Sequence, residues 1–561
     1  MSLLSKQTKF GEKTNVEYKW GGDIRKKILS FFFQLIRDEK LTDLENQLYT
    51  MLLEIKGDPY GYKEELITLY KILCHTRDIR CGRGERDLSY MQLYIWFYFD
   101  VDLAYFALQQ FVWGENYGSW QDIKKFCLYI KQKTKNENHP FIAYACNLMV
   151  IQIKHDLTKM QQNEYISQAG KWAPRENSRR YRWLYRKLAT LMYPEFIKTA
   201  KNTSTKQAAL RKAKTFFRKD LSSINRYLGT IENIMCNSSW ANICPSYITS
   251  HALYKYKLAL QNKTKANTIR RNTADRHICA GYLQHYIEKT TLKYSTISLE
   301  TLVRGADTYI TKHDKEIINK LWNTQKPLYN FKQNLLAIVD LSSSMERNHS
   351  NPLYTAIALG IRASELSVGA FQNRLFVFSA RPVWLCFNDE MTFVDKVQMI
   401  LSVSRGLNSN FKGVLEALMK AFTETNTDKD IIKGLDLCLI SDMQIDQFSK
   451  HTLYTLSENI KKMFIKNGFK SVPRIILWNM RKTSGFPARM DDGDTILLSG
   501  STSKMFILLK PPPRVAICQK RWGFKCQPSW RILRKCINRR RYSILSNKIE
   551  LVKYNKHNYY T

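Results

Sequence analysis

Three short strings put oxygen donors where they could share a divalent cation. Asp340, Ser342 and Ser344 form a DxSxS pattern in LLAIVDLSSSM, Ser409 stands in GLNSNF, and Asp442 stands in LISDMQ. Hydroxyls with a few carboxylates suit a hard ion, Mg²⁺ or another divalent cation, whose ligands are oxygens. The same residues also have a purely structural reading: Ser342 and Ser344 cap the next helix, and Asp442 closes a turn.

The elements around these strings favour convergence. Leu335 to Val339 is a short apolar run ending at Asp340. Ala356 to Leu366 reads as a helix, Leu375 to Phe378 as a strand, Phe411 to Phe422 as a helix and Leu435 to Ser441 as a strand. A helix around Leu453 to Phe464 follows, then strands at Arg474 to Trp478 and Thr495 to Leu498. Short apolar strands alternating with helices predict a doubly wound, mostly parallel sheet over residues 331–513. Ligands of such sheets bind at the carboxyl ends of the strands, which is where Asp340 and Asp442 fall.

Residues 1–330 read differently. Ile28, Leu29, Phe32, Leu35 and Ile36 recur at helical spacing, as do Leu66, Leu69, Tyr70 and Leu73. With no fixed-period repeat in the letters, a stack of helical hairpins, a HEAT-like all-α scaffold, is the expected way to bury many one-sided helices. Pro511, Pro512 and Pro513 stop regular structure, leaving 514–561 as a basic C-terminal segment. The chain is thus expected to be multidomain, α followed by α/β.

Composition narrows the partners. The 561 residues carry 88 Lys plus Arg against 49 Asp plus Glu, a formal charge of +39. That excess predicts attraction to polyanions, RNA first and acidic protein second, although a compositional bias toward Lys, Asn, Ile and Tyr contributes. The 12 cysteines are scattered without a CxxC pair, which suits free thiols in a reducing compartment. The start MSLLSKQTKF lacks a signal-peptide apolar core. Asp100 and Asp102 interrupt the most apolar stretch, Met91 to Trp113, so a buried helix pair is expected there rather than a membrane span. An intracellular, cytoplasmic protein is expected, or a virion component if the source is viral. No Walker A, GxSxG or HExxH motif and no Cys–His pair is present, so the expected function is not enzymatic.

Four strings could contact RNA, and each has a second reading. In TRDIRCGRGERD, Arg77, Arg80, Arg83 and Arg86 flank glycines that let backbone N–H groups approach a phosphate; alternatively Arg77 and Arg86 pair with Asp78, Glu85 and Asp87 to pin two helices. In KWAPRE, Lys171 and Arg175 flank Trp172, a stacking platform for a base or a buried ring between solvated charges. Lys198 to Lys219, including Lys212, Lys214, Arg218 and Lys219, is a phosphate-contacting stretch or a solvated face. From Lys520 to Tyr542, with Arg539, Arg540 and Arg541, cations interleave with Trp522, Phe524 and Trp530; a localisation patch or a tail docked on the sheet fits the same residues.

The DxSxS string with Ser409 and Asp442 resembles the metal-ion-dependent adhesion site of the von Willebrand factor A family. That resemblance implies Ser342, Ser344 and Ser409 as direct Mg²⁺ ligands, Asp340 and Asp442 acting mostly through water, and an open position for a partner's carboxylate. Ser343 replaces the family's usual glycine, and Ser409 its usual threonine. TRDIRCGRGERD, YGSWQD (Tyr117 to Asp122), KWAPRE and RYLGTIENIMCNSSWANI (Arg226 to Ile243), together with that domain, resemble an uncharacterised family of plants and large DNA viruses. Its layout is similar to that of TROVE-module, Ro-type RNA-binding proteins. The resemblance covers roughly Leu66 to Leu509 and implies a curved or ring-shaped helical scaffold with an A-type domain packed on it. The expected function is a non-enzymatic ribonucleoprotein scaffold with a Mg²⁺-dependent partner site. The alternative is a metal-dependent protein-interaction or virion-assembly protein without specific RNA binding. The oligomeric state is left open.

Overall fold

The computed structural model describes residues 8–10, 16–19 and 22–557, apart from 38–39, 290, 293–294, 296, 310, 326–332, 347–351, 405, 407–409, 426, 428–431, 433, 446–453, 484, 489–491, 493 and 510–527. Up to Asn323 the chain is almost entirely helical. Capping side chains start many of the helices: Asp100 Oδ1 accepts from Leu103 N at 3.0 Å and opens Val101–Val112, and Asn202 forms a capping box that opens Thr203–Tyr227. Packing runs mostly between near neighbours in sequence. Asp87–Phe99 lies against Thr42–Gly57, Lys63–Arg77, Val101–Val112 and Gln121–Thr134; Pro140–Gln161 lies against Arg182–Met192 and Thr203–Tyr227. Among the described residues helix lengths range from 4 residues in Ala169–Trp172 to 25 in Thr203–Tyr227, so the stack is not a strict repeat. The apolar stretch at Met91 is the helix pair Asp87–Phe99 and Val101–Val112, with Trp96 fully buried and Tyr70 Oη donating to Leu103 O at 2.7 Å. Among the described residues no helix is long and apolar enough to cross a membrane.

A small antiparallel pair, β1 (Thr8–Phe10) and β2 (Val16–Tyr18), precedes the helices. The second sheet contains β3 (Asn334–Asp340), β4 (Arg374–Phe378), β5 (Pro382–Cys386), β6 (Leu435–Ser441), β7 (Arg474–Asn479) and β8 (Thr495–Ser499). Its order is β5-β4-β3-β6-β7-β8, parallel throughout except for the antiparallel edge β5. Helices Pro352–Leu366 and Phe393–Leu401 share one core with the helical part. Phe411–Glu424 and Leu456–Lys466 cover the opposite face. The chain runs from β3 outward to β4 and β5, then returns to place β6 on β3's other side. The strand order therefore reverses between β3 and β6, the position at which such sheets open a crevice at their carboxyl ends.

The α/β part meets the helical part at two places far apart in sequence. Trp322 stacks on Phe393 at 4.0 Å, and the Arg362 guanidinium lies 3.7 Å from the Trp322 ring. At the other end of the helical stack, Arg83 donates from Nη1 to Leu35 O (2.9 Å) and Ser499 O (3.1 Å), tying Ile24–Gln34 to β8. Arg37 bridges the two ends, 2.6 Å from Glu85 and 3.8 Å from Glu300.

Residues 528–557 of the basic terminal segment are largely helical. They form helices Pro528–Ile537 and Ser543–His557, which pack on Lys63–Arg77 and reach Ile24–Gln34 and β8. Leu533, Cys536, Tyr542, Leu545 and Ile549 are buried there, so apolar burial docks this segment on the helical stack rather than leaving it as a free tail.

Candidate functional site

At the reversal point the carboxyl ends of β3 and β6 lie side by side, with Val339 opposite Ile440. Asp340, completely buried, accepts from Ser342 N at 2.9 Å through Oδ1 and from Ser441 Oγ at 2.7 Å through Oδ2. Ser342 and Ser344 hold their hydroxyls 3.0 Å apart. Asp442, also buried, accepts from Gln444 N at 3.0 Å, and Arg481 Nη1 lies 3.9 Å from its Oδ2. The turn is tight: Met443 has φ 61, a left-handed conformation that is costly for a side chain of that size. Burial, and then the negative charge of Asp442, push the Asp340 carboxyl up to about 6 against the hydrogen bonds from Ser342 and Ser441. Two buried carboxylates, with the charge of Asp442 making ionisation of Asp340 costlier, beside two converging hydroxyls, form a donor set that fits a divalent cation. Among the described residues no three Asp, Glu, His or Cys side chains cluster as a metal site, so the hydroxyls are indispensable to this fit. Ser409 lies outside the described residues. Gly406, on its loop, accepts from Ser343 N at 3.3 Å. Ser441, which hydrogen-bonds Asp340, was not singled out from the sequence because it ends an apolar strand.

The arginine-rich string is corrected at two positions. Arg77 is buried and bidentate on Asp122 (3.0 and 2.7 Å), which also accepts from Tyr90 Oη at 2.5 Å. Burial pushes the Asp122 carboxyl up, but Arg77, Arg86 and Tyr90 outweigh it and hold it below the usual range. Arg83 is equally internal, and burial lowers its guanidinium to about 10. Neither side chain faces a ligand. Arg86 is committed to Gln121 (2.7 Å) and Asp122 (3.4 Å), while Arg80 is exposed. The pairing partner is Asp122, a residue far along the chain. The acids inside the string serve other contacts: buried Asp78 accepts from Tyr542 Oη at 2.7 Å and pairs with Arg541 Nε at 2.8 Å. Arg541 is therefore corrected from RNA contact to clasp. Arg539 donates to Cys81 O at 3.2 Å, and Arg540 is exposed.

The KWAPRE string behaves otherwise. Lys124 Nζ sits 5.2 Å from the Trp172 centroid and 5.9 Å from that of Tyr181, and Lys171 Nζ is 5.8 Å from Trp172. Trp172 is half-buried and Arg175 exposed. Burial first, then Arg175 and Lys125, lower the Lys124 ammonium to about 8. Glu176, the acid next to Arg175, is taken by Lys214 (2.9 Å) and Arg218 (3.3 Å) on helix Thr203–Tyr227. On that helix Lys212 lies over Phe196 (4.4 Å) and Lys219 over Phe216 (5.7 Å), both exposed. Lys124, Lys125 and Tyr181 were not legible in the sequence, since only the fold brings them to Trp172.

Comparison with known proteins finds family models for two separate segments of the chain. Residues 334–510 match a family model described as a domain of unknown function, DUF7788, and residues 130–268 match another, DUF2828. An uncharacterized protein, L728, of Acanthamoeba polyphaga mimivirus is 25% identical over 500 residues, covering 85% of this chain and 80% of that one. The crystal structure of the Deinococcus radiodurans RO (RSR) protein aligns over 86% of this chain and 97% of its own, at 11% identity and a TM-score of 0.39.

Proposed function

We propose that this chain is a non-enzymatic RNA-binding scaffold whose contact face is the cluster Lys124, Lys171, Trp172, Arg175 and the exposed side of helix Thr203–Tyr227. The observation that carries the reading is Lys124: a half-buried ammonium held beside like charges, with no carboxylate ion-paired to Lys124, Lys171 or Arg175 among the described residues. A phosphate relieves that repulsion, and the Trp172 and Tyr181 rings offer faces to bases. The net charge of +39 supports the same partner. Fluorescence anisotropy with single-stranded RNA at rising salt tests it. Tight binding at low salt that weakens steeply with salt, and that Lys171→Glu reduces, is expected; no binding at low salt overturns it.

The crevice at Asp340 supports a second role. In this reading the α/β part is a von Willebrand A-type domain, and Ser342, Ser344 and Ser409 hold Mg²⁺ with Asp340 and Asp442 in support. The ion supplies an open position for an acidic residue of a protein partner. Mg²⁺ is expected to raise the melting temperature, EDTA to reverse it, and Asp340→Asn to abolish the response. A melting temperature indifferent to Mg²⁺ in the unsubstituted protein removes this role and leaves RNA binding standing. If Mg²⁺-dependent protein capture appears without RNA binding, the chain is an interaction or assembly protein instead.

A further inference from the structure

A second basic feature lies outside every basic string noted above. The loop after helix Ser250–Leu260 folds into a small hairpin: Asn262 donates from Nδ2 to Arg271 O (2.7 Å) and accepts from Arg271 N (3.1 Å), and Thr264 N donates to Thr268 O (2.9 Å). Asn262 and Asn267 adopt left-handed φ of 55 and 59, which asparagine tolerates better than most residues. Between this hairpin, helix Ala274–Lys289 and the start of helix Lys312–Asn323 lies a cavity of about 600 Å³, within the range of small-ligand sites.

Its lining is chemically mixed. Ile269, 57% exposed, and Leu283 give aliphatic surface, while Asn267 and Gln284 give amide donors and acceptors. Lys263 and Lys312 bring cations, and exposed Arg270 and Arg271 stand on the same hairpin. Among the described residues none of these four cations is ion-paired, and Asp314, the nearest acid in sequence to Lys312, is taken by Lys257 (2.9 Å) and Gln261 (2.7 Å). Gly281 lines the cavity on the exposed side of helix Ala274–Lys289, in the interior of that helix, and a Cβ there would meet nothing within 4 Å. A glycine at such a position costs about 0.5–1 kcal/mol relative to alanine, and what it leaves behind is space.

We propose that this cavity takes a nucleotide, the base lying between Ile269 and the backbone at Gly281 and the phosphate meeting Lys263 and Lys312. This rests on the RNA-binding reading for its source, an unpaired nucleotide of a bound strand, but the same chemistry would accept a free nucleoside monophosphate. The test uses the full chain with adenosine monophosphate by calorimetry and a labelled single-stranded RNA by anisotropy. Gly281→Leu puts a better helix former into the space beside Gly281, so its melting temperature is expected to be unchanged or higher. Its affinity for both probes is expected to fall about tenfold or more, about 1.4 kcal/mol, because the leucine occupies the space given to the base. Exposed Lys312→Glu is expected to weaken both probes with unchanged melting, and serves if Gly281→Leu does not fold. Displacement of the monophosphate by the RNA supports a strand nucleotide; monophosphate binding without displacement supports a free nucleotide. If the unsubstituted chain binds the monophosphate but no RNA, the scaffold reading fails and the pocket stands. If neither substitution weakens the monophosphate, or the monophosphate does not bind, the proposal is overturned.

Discussion

Two basic strings of similar composition end in opposite situations. Thr76 to Asp87, with Arg539 to Tyr542 packed against it, spends its cations inside the molecule: Arg77 on Asp122, Arg83 on backbone carbonyls of Leu35, Phe32 and Ser499, Arg541 on Asp78. The face around Trp172 does the reverse, crowding Lys124, Lys171 and Arg175 with no carboxylate pairing to any of them among the described residues. The difference is not the number of cations. It is whether the fold delivers acceptors, and acceptors come from remote positions. A buried pair sets local structure and is spent; an un-neutralised cluster stores an electrostatic demand that only an external anion meets.

Breaking the internal string should have the largest effect. Asp122→Asn removes the charge that compensates buried Arg77, and loss of one member of a buried pair costs about 3–5 kcal/mol. The urea unfolding midpoint is expected to fall accordingly, while RNA affinity measured under conditions where the variant remains folded stays unchanged. A large loss of RNA affinity with unchanged stability would erase the distinction between the two regions.

What was readable in the sequence follows from the same division between local and remote causes. β6 is legible residue by residue as Leu435–Ser441 because a central parallel strand is buried on both faces and reads as a nearly continuous apolar run, interrupted by Asp436. β5 was missed: it begins at Pro382, keeps an exposed side and has the weak pattern of an edge. Asp340, Ser342, Ser344 and Asp442 were legible because strand ends fix where a side chain stands. Ser441 was not, since nothing local distinguishes a strand-terminal serine that bonds a remote carboxylate from one that does not. The partner of Arg77 and the buried role of Arg83 were not legible for the corresponding reason: Asp122 and Ser499 are invisible from within the string.

Next in size is the platform itself. Trp172→Ala is expected to reduce single-stranded RNA affinity by about 1–3 kcal/mol, the measured range for losing one base–aromatic stack, with Trp172→Phe recovering much of it. Circular dichroism should show both folded. An unchanged affinity would assign Trp172 to packing alone and shift the contact face to helix Thr203–Tyr227.

Lys124 makes the comparison pH-dependent. Its ammonium is lowered to about 8, by burial and then by Arg175 and Lys125. In the free protein the charge is present below pH 8 and lost above it; a bound phosphate raises the value, so RNA binding takes up a proton near pH 8. Affinity is therefore expected to decline as pH rises through 8, by at most about tenfold per unit for one coupled proton. Lys124→Arg, which keeps its charge, is expected to flatten the profile. A profile that is flat between pH 7 and 9 in the unsubstituted chain would remove Lys124 from the contact.

The smallest effects come from neighbours inside one string. Arg541 is held by Asp78, and Arg540 is exposed. Arg540→Ala is expected to leave stability within about 0.5 kcal/mol, the usual range for surface substitutions away from special features. If it meets a phosphate, the salt dependence of RNA binding should lose about 0.7 in slope, the contribution of one contact on a single strand. Arg541→Ala leaves buried Asp78 short of its cation, so it should lower the unfolding midpoint while leaving that slope alone. Exchange of these two signatures would show that the docked helices at the C terminus, and not the Trp172 face, present the molecule's available charge.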